Sequence, residues 1–418
     1  MLALFPGGTR ITAGVLELDR IPVTELAGRF GTPLVVYSET SLRERARMFQ
    51  RAVPDALVVY GTKAFPNVAL MRLLDEEGVG ADVSTLGELA FARRAGIPGA
   101  RLLVHGNNKS DEELRAAAEA EALVVVDALD EPARAAEAGV RRALVRVTPG
   151  VEAETHEAIR TGHRGSKFGL DEEDAVAAVR AALEAGLDVE GLHVHVGSQL
   201  GDVQAHLLAV ALLAGFADRC RSELDWTPRV VDVGGGFGIR HVPAEVEPPV
   251  EELVRAVGAA VARDWVTRGL EPPRLIVEPG RALVGPAAFT LYRVGAVKTA
   301  GERRYVAIDG GMSDNPRPQL YKAQYTALLA NRADDEPDDV FAVAGKHCES
   351  GDVLIERAEL PEPKRGDLLA VPATGAYTLA MASNYNGVPR PAAVLVGGGD
   401  ARVIRRRETV DDLLAREV

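Results

Sequence analysis

The chain has 418 residues, of which 47% are hydrophobic and 26% charged, with a formal net charge of −13. Such a length exceeds one ordinary core and predicts two structural units, and the composition is that of a folded globular protein, which excludes a disordered chain. The acidic balance argues against non-specific binding to nucleic acid or to an anionic membrane, and the two cysteines, Cys220 and Cys348, set up no disulfide framework and suit a reducing compartment.

The opening Met1-Leu-Ala-Leu-Phe-Pro-Gly-Gly lacks the basic and then apolar pattern of a signal peptide. No apolar run approaches the ~18–20 residues of a membrane span. A cytoplasmic protein without a membrane partner is therefore expected.

Apolar, strand-like runs then alternate with Ala/Leu/Glu/Arg-rich helical stretches. Eight such runs are Leu57–Tyr60, Ala81–Ser84, Arg101–Val104, Leu123–Val126, Ala143–Val147, Leu192–Val196, Arg229–Val233 and Arg274–Val277. Most are continuously apolar, as parallel strands covered on both faces are. Between the first two, Pro66 suits a first helical turn, Val68, Met71 and Leu74 form an apolar face, and Gly78 is placed to end the helix. Eight strand–helix units predict an α/β fold, a TIM (β/α)8 barrel over residues 29–285, with its chemistry at the carboxyl ends of the strands.

Past Gly285-Pro286 the long helical stretches stop. Phe289–Val294, Arg304–Ile308, Val340–Val343, Leu368–Val371 and Ala392–Val396 are separated by turns, which predicts a β-sandwich or open barrel over 286–418, completed by residues 1–28. The acidic run Asp334–Asp339 reads as a solvated turn.

The expected strand ends offer Lys63, Asp82 with Ser84, His105, Asp127, Arg146, His195, Gly234-Gly235-Gly236, and Glu278 with Arg281. The glycines of Val233-Gly-Gly-Gly-Phe-Gly238 do not open a prompt helix after an early strand, so a dinucleotide fingerprint fails its context test. A phosphate loop fits their position after the seventh strand, with a plain tight turn as the bland alternative. A surface lysine is the default for Lys63, yet a lysine facing a barrel mouth that also holds a phosphate site suggests a Schiff base with pyridoxal phosphate. Glu278 then suits the pyridine nitrogen, and His195 is either a ring that packs on the cofactor or a satisfied core histidine. Cys348 stands in Gly345-Lys-His-Cys-Glu-Ser-Gly-Asp352, a thiol, a carboxylate and cationic groups between glycines, although a cysteine is more often an inert small hydrophobe.

Taken together, Gly61-Thr-Lys63-Ala-Phe65, His105-Gly-Asn-Asn-Lys-Ser110, His195-Val-Gly-Ser-Gln199, Gly234–Gly236, Glu278-Pro-Gly-Arg281, Asp309-Gly-Gly-Met-Ser-Asp314, Arg317-Pro-Gln-Leu-Tyr321, Cys348-Glu-Ser-Gly-Asp352, Gly375-Ala-Tyr377 and Arg390-Pro391 resemble the diaminopimelate decarboxylases. These belong to the alanine-racemase-like barrel class of pyridoxal-phosphate enzymes. The resemblance covers nearly the whole chain. It implies that Lys63 carries pyridoxal 5'-phosphate and that His195 stacks on the ring. Ser198, Gly234, Gly235 and Gly236 would hold the phosphate with the backbone of Glu278, Pro279, Gly280 and Arg281, while the Glu278 side chain keeps the ring nitrogen protonated. Tyr377 would reach both the phosphate and the substrate.

It further implies that Arg281, Arg317 and Tyr321 grip the distal carboxylate of a small amino-acid substrate, that Glu349 meets its distal ammonium, and that Cys348 is the general acid. The reaction implied is decarboxylation of meso-2,6-diaminopimelate to L-lysine, with no metal, in a homodimer whose active sites are shared. The chain departs from the commonest pattern at Gly-Thr-Lys-Ala-Phe and at Gly345-Lys-His. Rival readings are a decarboxylase of ornithine, arginine or carboxynorspermidine, a racemase, and a non-catalytic cofactor-binding homologue. The stretch Gly150–Gly169, with His156, His163, Arg164 and Lys167, reads as either a lid or an ordinary solvated loop.

Overall fold

The computed structural model describes residues 1–148 and 166–418, so most of the stretch read as a lid lies outside the described residues. The chain divides into two compact units: Arg45–Gly238 with Pro248–Ala282, and Met1–Glu44 with Ile239–Glu247 and Leu283–Val418.

In the first unit all eight expected strands are present, as Leu57–Gly61, Gly80–Val83, Leu102–Val104, Leu123–Val126, Arg142–Arg146, Asp188–His193, Val230–Asp232 and Arg274–Val277. They pair in parallel and form a closed barrel, the last strand returning to the first through Ile276 opposite Leu57. Alternate residues point inward. Leu57, Val59, Leu103, Leu123, Val125, Leu144, Val230 and Ile276 build the apolar filling. The sixth strand ends at His193, short of the expected Val196, and the chain then turns so that His195 meets the N–H of Gly235. The helix after the first strand begins at Val68, two residues beyond Pro66, because the Asn67 side chain accepts the Leu70 N–H and caps it.

The second unit is mostly sheet. Its long strand Ala288–Ala300 pairs through its first half with Leu34–Ser38 and Leu368–Pro372, and through its second half with Arg303–Ile308. The sheet continues through Asp339–Ala344 and Val353–Leu360 on one side, and through Ala392–Gly397 and Asp400–Arg405 on the other. Two cores result. Phe289, Leu291, Leu368 and Ala370 pack with Leu16, Leu18 and Leu26 of the N-terminal segment. Tyr292, Val294, Leu369 and Val371 pack with Val306, Phe341 and Leu354. All five residues of Leu368–Pro372 are buried because each face of that strand meets a different core.

Candidate active site

The inward parity that fills the barrel with Leu and Val continues, one step further along each strand, into polar side chains. Leu103 is followed by His105, Leu144 by Arg146, Val230 by Asp232 and Ile276 by Glu278. His105, His193, Asp232 and Glu278 are all buried, each offering a side-chain N or O atom within 4.8 Å of the others. His105 Nε2 lies 2.5 Å from Glu278 Oε1, His193 Nε2 lies 3.7 Å from Glu278 Oε2, and Asp82 Oδ1 lies 3.7 Å from His105 Nε2.

Burial opposes ionisation of Glu278, but the charge and hydrogen bond of His105, with His193 beside it, bring its carboxyl well below the usual range. Burial and then the Glu278 charge push Asp232 well above its usual range. The two neighbouring carboxyls are thus driven in opposite directions. Burial likewise takes the His193 ring down to about 3, so it stays neutral.

Lys63 sits on the short 3-10 turn Thr62–Ala64 directly after the first strand, its side chain 52% exposed and its Nζ 3.6 Å from Asp82 Oδ2. His195 is partly buried, and its Nδ1 accepts the N–H of Gly235 at 3.3 Å. Desolvation, reinforced by the cationic Lys63 and Arg146, holds that ring well below the usual histidine range. The glycine loop is tight for a stated reason: a Cβ on Gly235 would stand 2.2 Å from the Glu278 carbonyl oxygen, and one on Gly236 2.4 Å from that of Gly197. The Gly234 N–H is donated to Asp232 Oδ1 at 2.8 Å. Behind the loop, the His206 ring stacks on Phe237 and hydrogen-bonds the Gly235 carbonyl at 2.9 Å. Pro279 and Gly280 are buried, Arg281 is partly buried at the start of the helix Arg281–Val284, and Ser198 is exposed.

In the sheet unit, Cys348 and Glu349 are exposed on the loop between Asp339–Ala344 and Val353–Leu360. Asp352 shapes this loop by accepting the N–H groups of Met312 (2.7 Å) and His347 (3.0 Å), and it lies 2.6 Å from His347 Nδ1. The Cys348 N–H is held by Asn386 Oδ1 at 2.8 Å. Tyr377 occupies the left-handed region at φ 58°, a conformation that a bulky side chain adopts only when its surroundings impose it.

Arg317, at the start of the helix Arg317–Tyr321, is 6% exposed, whereas Tyr321 at the other end is 63% exposed. Arg317 Nη1 donates to Tyr325 Oη at 2.6 Å and to His241 Nε2 at 3.2 Å. Among the described residues it has no acidic partner within ion-pair distance, and its Nε has no hydrogen-bond partner.

The sequence reading singled out neither His193 nor Asp232, nor did it find His206, His241 or Tyr325. Strand parity signals the first two, since each falls on an inward register at a strand end. No local pattern marks the other three, because their partners come from distant parts of the chain.

A family profile described as "Pyridoxal-dependent decarboxylase, pyridoxal binding domain" matches residues 39–285. A diaminopimelate decarboxylase of Actinosynnema pretiosum subsp. auranticum is 46% identical over 99% of this chain and 95% of its own length. One from Bacillus subtilis is 43% identical over 96% of this chain and 94% of its own. The crystal structure of diaminopimelate decarboxylase from M. jannaschii in co-complex with L-lysine superposes with a TM-score of 0.93 at 34% identity, covering 99% of this chain and 98% of that one. Full-length similarity at this level places the chain in the diaminopimelate decarboxylase family of pyridoxal-dependent decarboxylases.

Proposed function

We propose that the protein removes carbon dioxide from meso-2,6-diaminopimelate to give L-lysine, using pyridoxal 5'-phosphate. The observation that carries this reading is Arg317, a buried guanidinium with no acidic partner among the described residues. A buried cation is costly unless an anion meets it. A guanidinium fork takes a carboxylate bidentately, so the distal carboxylate of the substrate is the natural partner. Ornithine and arginine carry no second carboxylate for it.

The residues fit the cofactor. A primary amine at the barrel mouth, an ionised buried carboxylate and a neutral imidazole turned by a backbone N–H are the donor set a pyridoxal ring requires. Pyridoxal phosphate, when bound, supplies an electron sink conjugated to the carbon that loses carbon dioxide.

Lys63 Nζ is the attachment point, and Glu278 holds the ring nitrogen's proton. The His195 ring would pack against the cofactor. Gly234 and Gly235 shape the phosphate loop, although their N–H groups already serve Asp232 and His195. The phosphate therefore falls to the N–H of Gly236, to Ser198 and Tyr377, and to the backbone N–H groups of Gly280 and Arg281, with Pro279 fixing the turn just before them. Arg281 and Tyr321 join Arg317 at the carboxylate, Glu349 meets the distal ammonium, and Cys348 Sγ delivers the proton to the decarboxylated carbon. Exposure of Cys348, Glu349 and Tyr321 in the single chain supports a homodimer in which each subunit completes the other's site.

Loaded with pyridoxal phosphate, the protein should absorb in the visible and convert meso-diaminopimelate to equimolar carbon dioxide and lysine. Lys63→Ala should lose the band and the turnover, and Cys348→Ala should keep the band while turnover falls about 10²-fold or more, the usual scale for general acid catalysis. A colourless wild type would overturn the reading.

A further inference from the structure

We propose that His241 is a positioning residue that holds Arg317 for a carboxylate without neutralising it. This inference rests on the reading that Arg317 receives the substrate's distal carboxylate. His241 is 5% exposed and lies on Ile239–Glu247, the segment that follows the glycine loop and belongs to the same compact unit as Arg317.

A guanidinium has no acceptor, so at 3.2 Å His241 Nε2 must accept from Arg317 Nη1. The ring proton is therefore on Nδ1, which lies 3.9 Å from the Glu245 carboxylate. The backbone N–H of His241 donates to that same carboxylate at 2.6 Å, which anchors the segment. Tyr325 accepts from the same Nη1 at 2.6 Å and meets the His241 ring edge to face, with centroids 5.6 Å apart.

Two neutral acceptors thus hold one terminal nitrogen. The opposite edge of the fork carries the Nε that has no hydrogen-bond partner among the described residues, and this is an edge a carboxylate takes bidentately. An acidic residue in place of His241 would hold Arg317 equally well, but it would compete with the substrate for the charge. Neutrality at position 241 is what the geometry selects.

The test measures dissociation constants of the pyridoxal-loaded protein for L-lysine, which keeps the distal carboxylate, and for cadaverine, the same chain without it. His241→Phe should weaken lysine about 10-fold, the scale of one hydrogen bond to a charged group, and leave cadaverine within about twofold. His241→Gln, a neutral acceptor, should restore most of the lysine affinity. His241→Glu should fold and weaken lysine most, and this pair carries the test if the phenylalanine variant does not fold.

Equal loss of lysine and cadaverine in His241→Phe, or tighter lysine binding in His241→Glu, would overturn the proposal. Arg317→Ala separates the two levels: if it leaves lysine affinity unchanged, the reading of Arg317 itself fails. If it weakens lysine while His241→Phe does not, only the role of His241 fails.

Discussion

At the scale of single residues, the division of charge between Asp232 and Glu278 makes the sharpest demand. Both are buried in one cluster, yet burial and the Glu278 charge push Asp232 up while His105 and His193 hold Glu278 down. Asparagine at 232 copies a neutral acid and can still accept the Gly234 N–H, so Asp232→Asn should keep kcat/KM within a few-fold of wild type. On the proposed reading, glutamine at 278 would remove the charge that keeps a pyridine nitrogen protonated, and Glu278→Gln should cost about 10²-fold or more, on the scale of a lost acid–base group. Comparable losses in the two variants, measured by steady-state kinetics, would contradict the assignment. His105 and Glu278 were legible in the sequence because apolar runs end immediately before them, Lys63 because it follows the first run closely, and Arg146 because it is the one charge in its run. His193 and Asp232 sit inside runs, and only the two-residue parity of a barrel interior marks them.

At the scale of elements, the turn that follows Arg303–Ile308 is built around a buried carboxyl. Asp314 accepts from Tyr292 Oη at 2.5 Å and from the Gly311 N–H at 2.8 Å. Burial nevertheless raises it to about 7 from the ordinary 3.8, with the Asp352 and Asp309 charges adding to the shift. A folded value above the unfolded one means that the folded state holds the extra proton. Its contribution to stability is whole below about pH 4 and is lost as the pH rises through 7. Asp314→Asn should therefore gain thermal stability relative to wild type between pH 5 and pH 8, on the order of a few °C. A difference in Tm that stays constant across that range would contradict this.

Strands were legible in the same measure as their apolar continuity. Leu368–Pro372 was found from its run, whereas Val353–Leu360 carries Glu356, Arg357 and Glu359, and Asp400–Arg405 carries charges throughout. Leu34–Ser38 is fully buried and apolar, and it falls within 29–285, the range expected for the barrel.

At the scale of the whole molecule, the residues of the proposed reading are spread over both units. Lys63, His195 and Glu278 lie in the barrel unit, and Arg317, Tyr377, Cys348 and Glu349 lie in the sheet unit. The eight-strand count was legible because parallel strands buried on both faces leave unbroken apolar runs. The route of Ile239–Glu247, which leaves the barrel sequence to join the sheet unit, was not, since nothing in its composition separates it from an ordinary loop. No helix among the described residues is long and apolar enough to cross a membrane.

On the proposed reading, Arg317, buried and without an acidic partner among the described residues, selects a substrate with a second carboxylate. The most direct measurement is kcat/KM for meso-diaminopimelate beside ornithine and arginine, in wild type and in Arg317→Ala. Meso-diaminopimelate should be preferred by about 10³-fold or more, as sites built around a specific polar partner reject analogues that lack it, and most of that preference should vanish in the variant. Equal or greater turnover of ornithine by the wild type, or a preference untouched by Arg317→Ala, would contradict it.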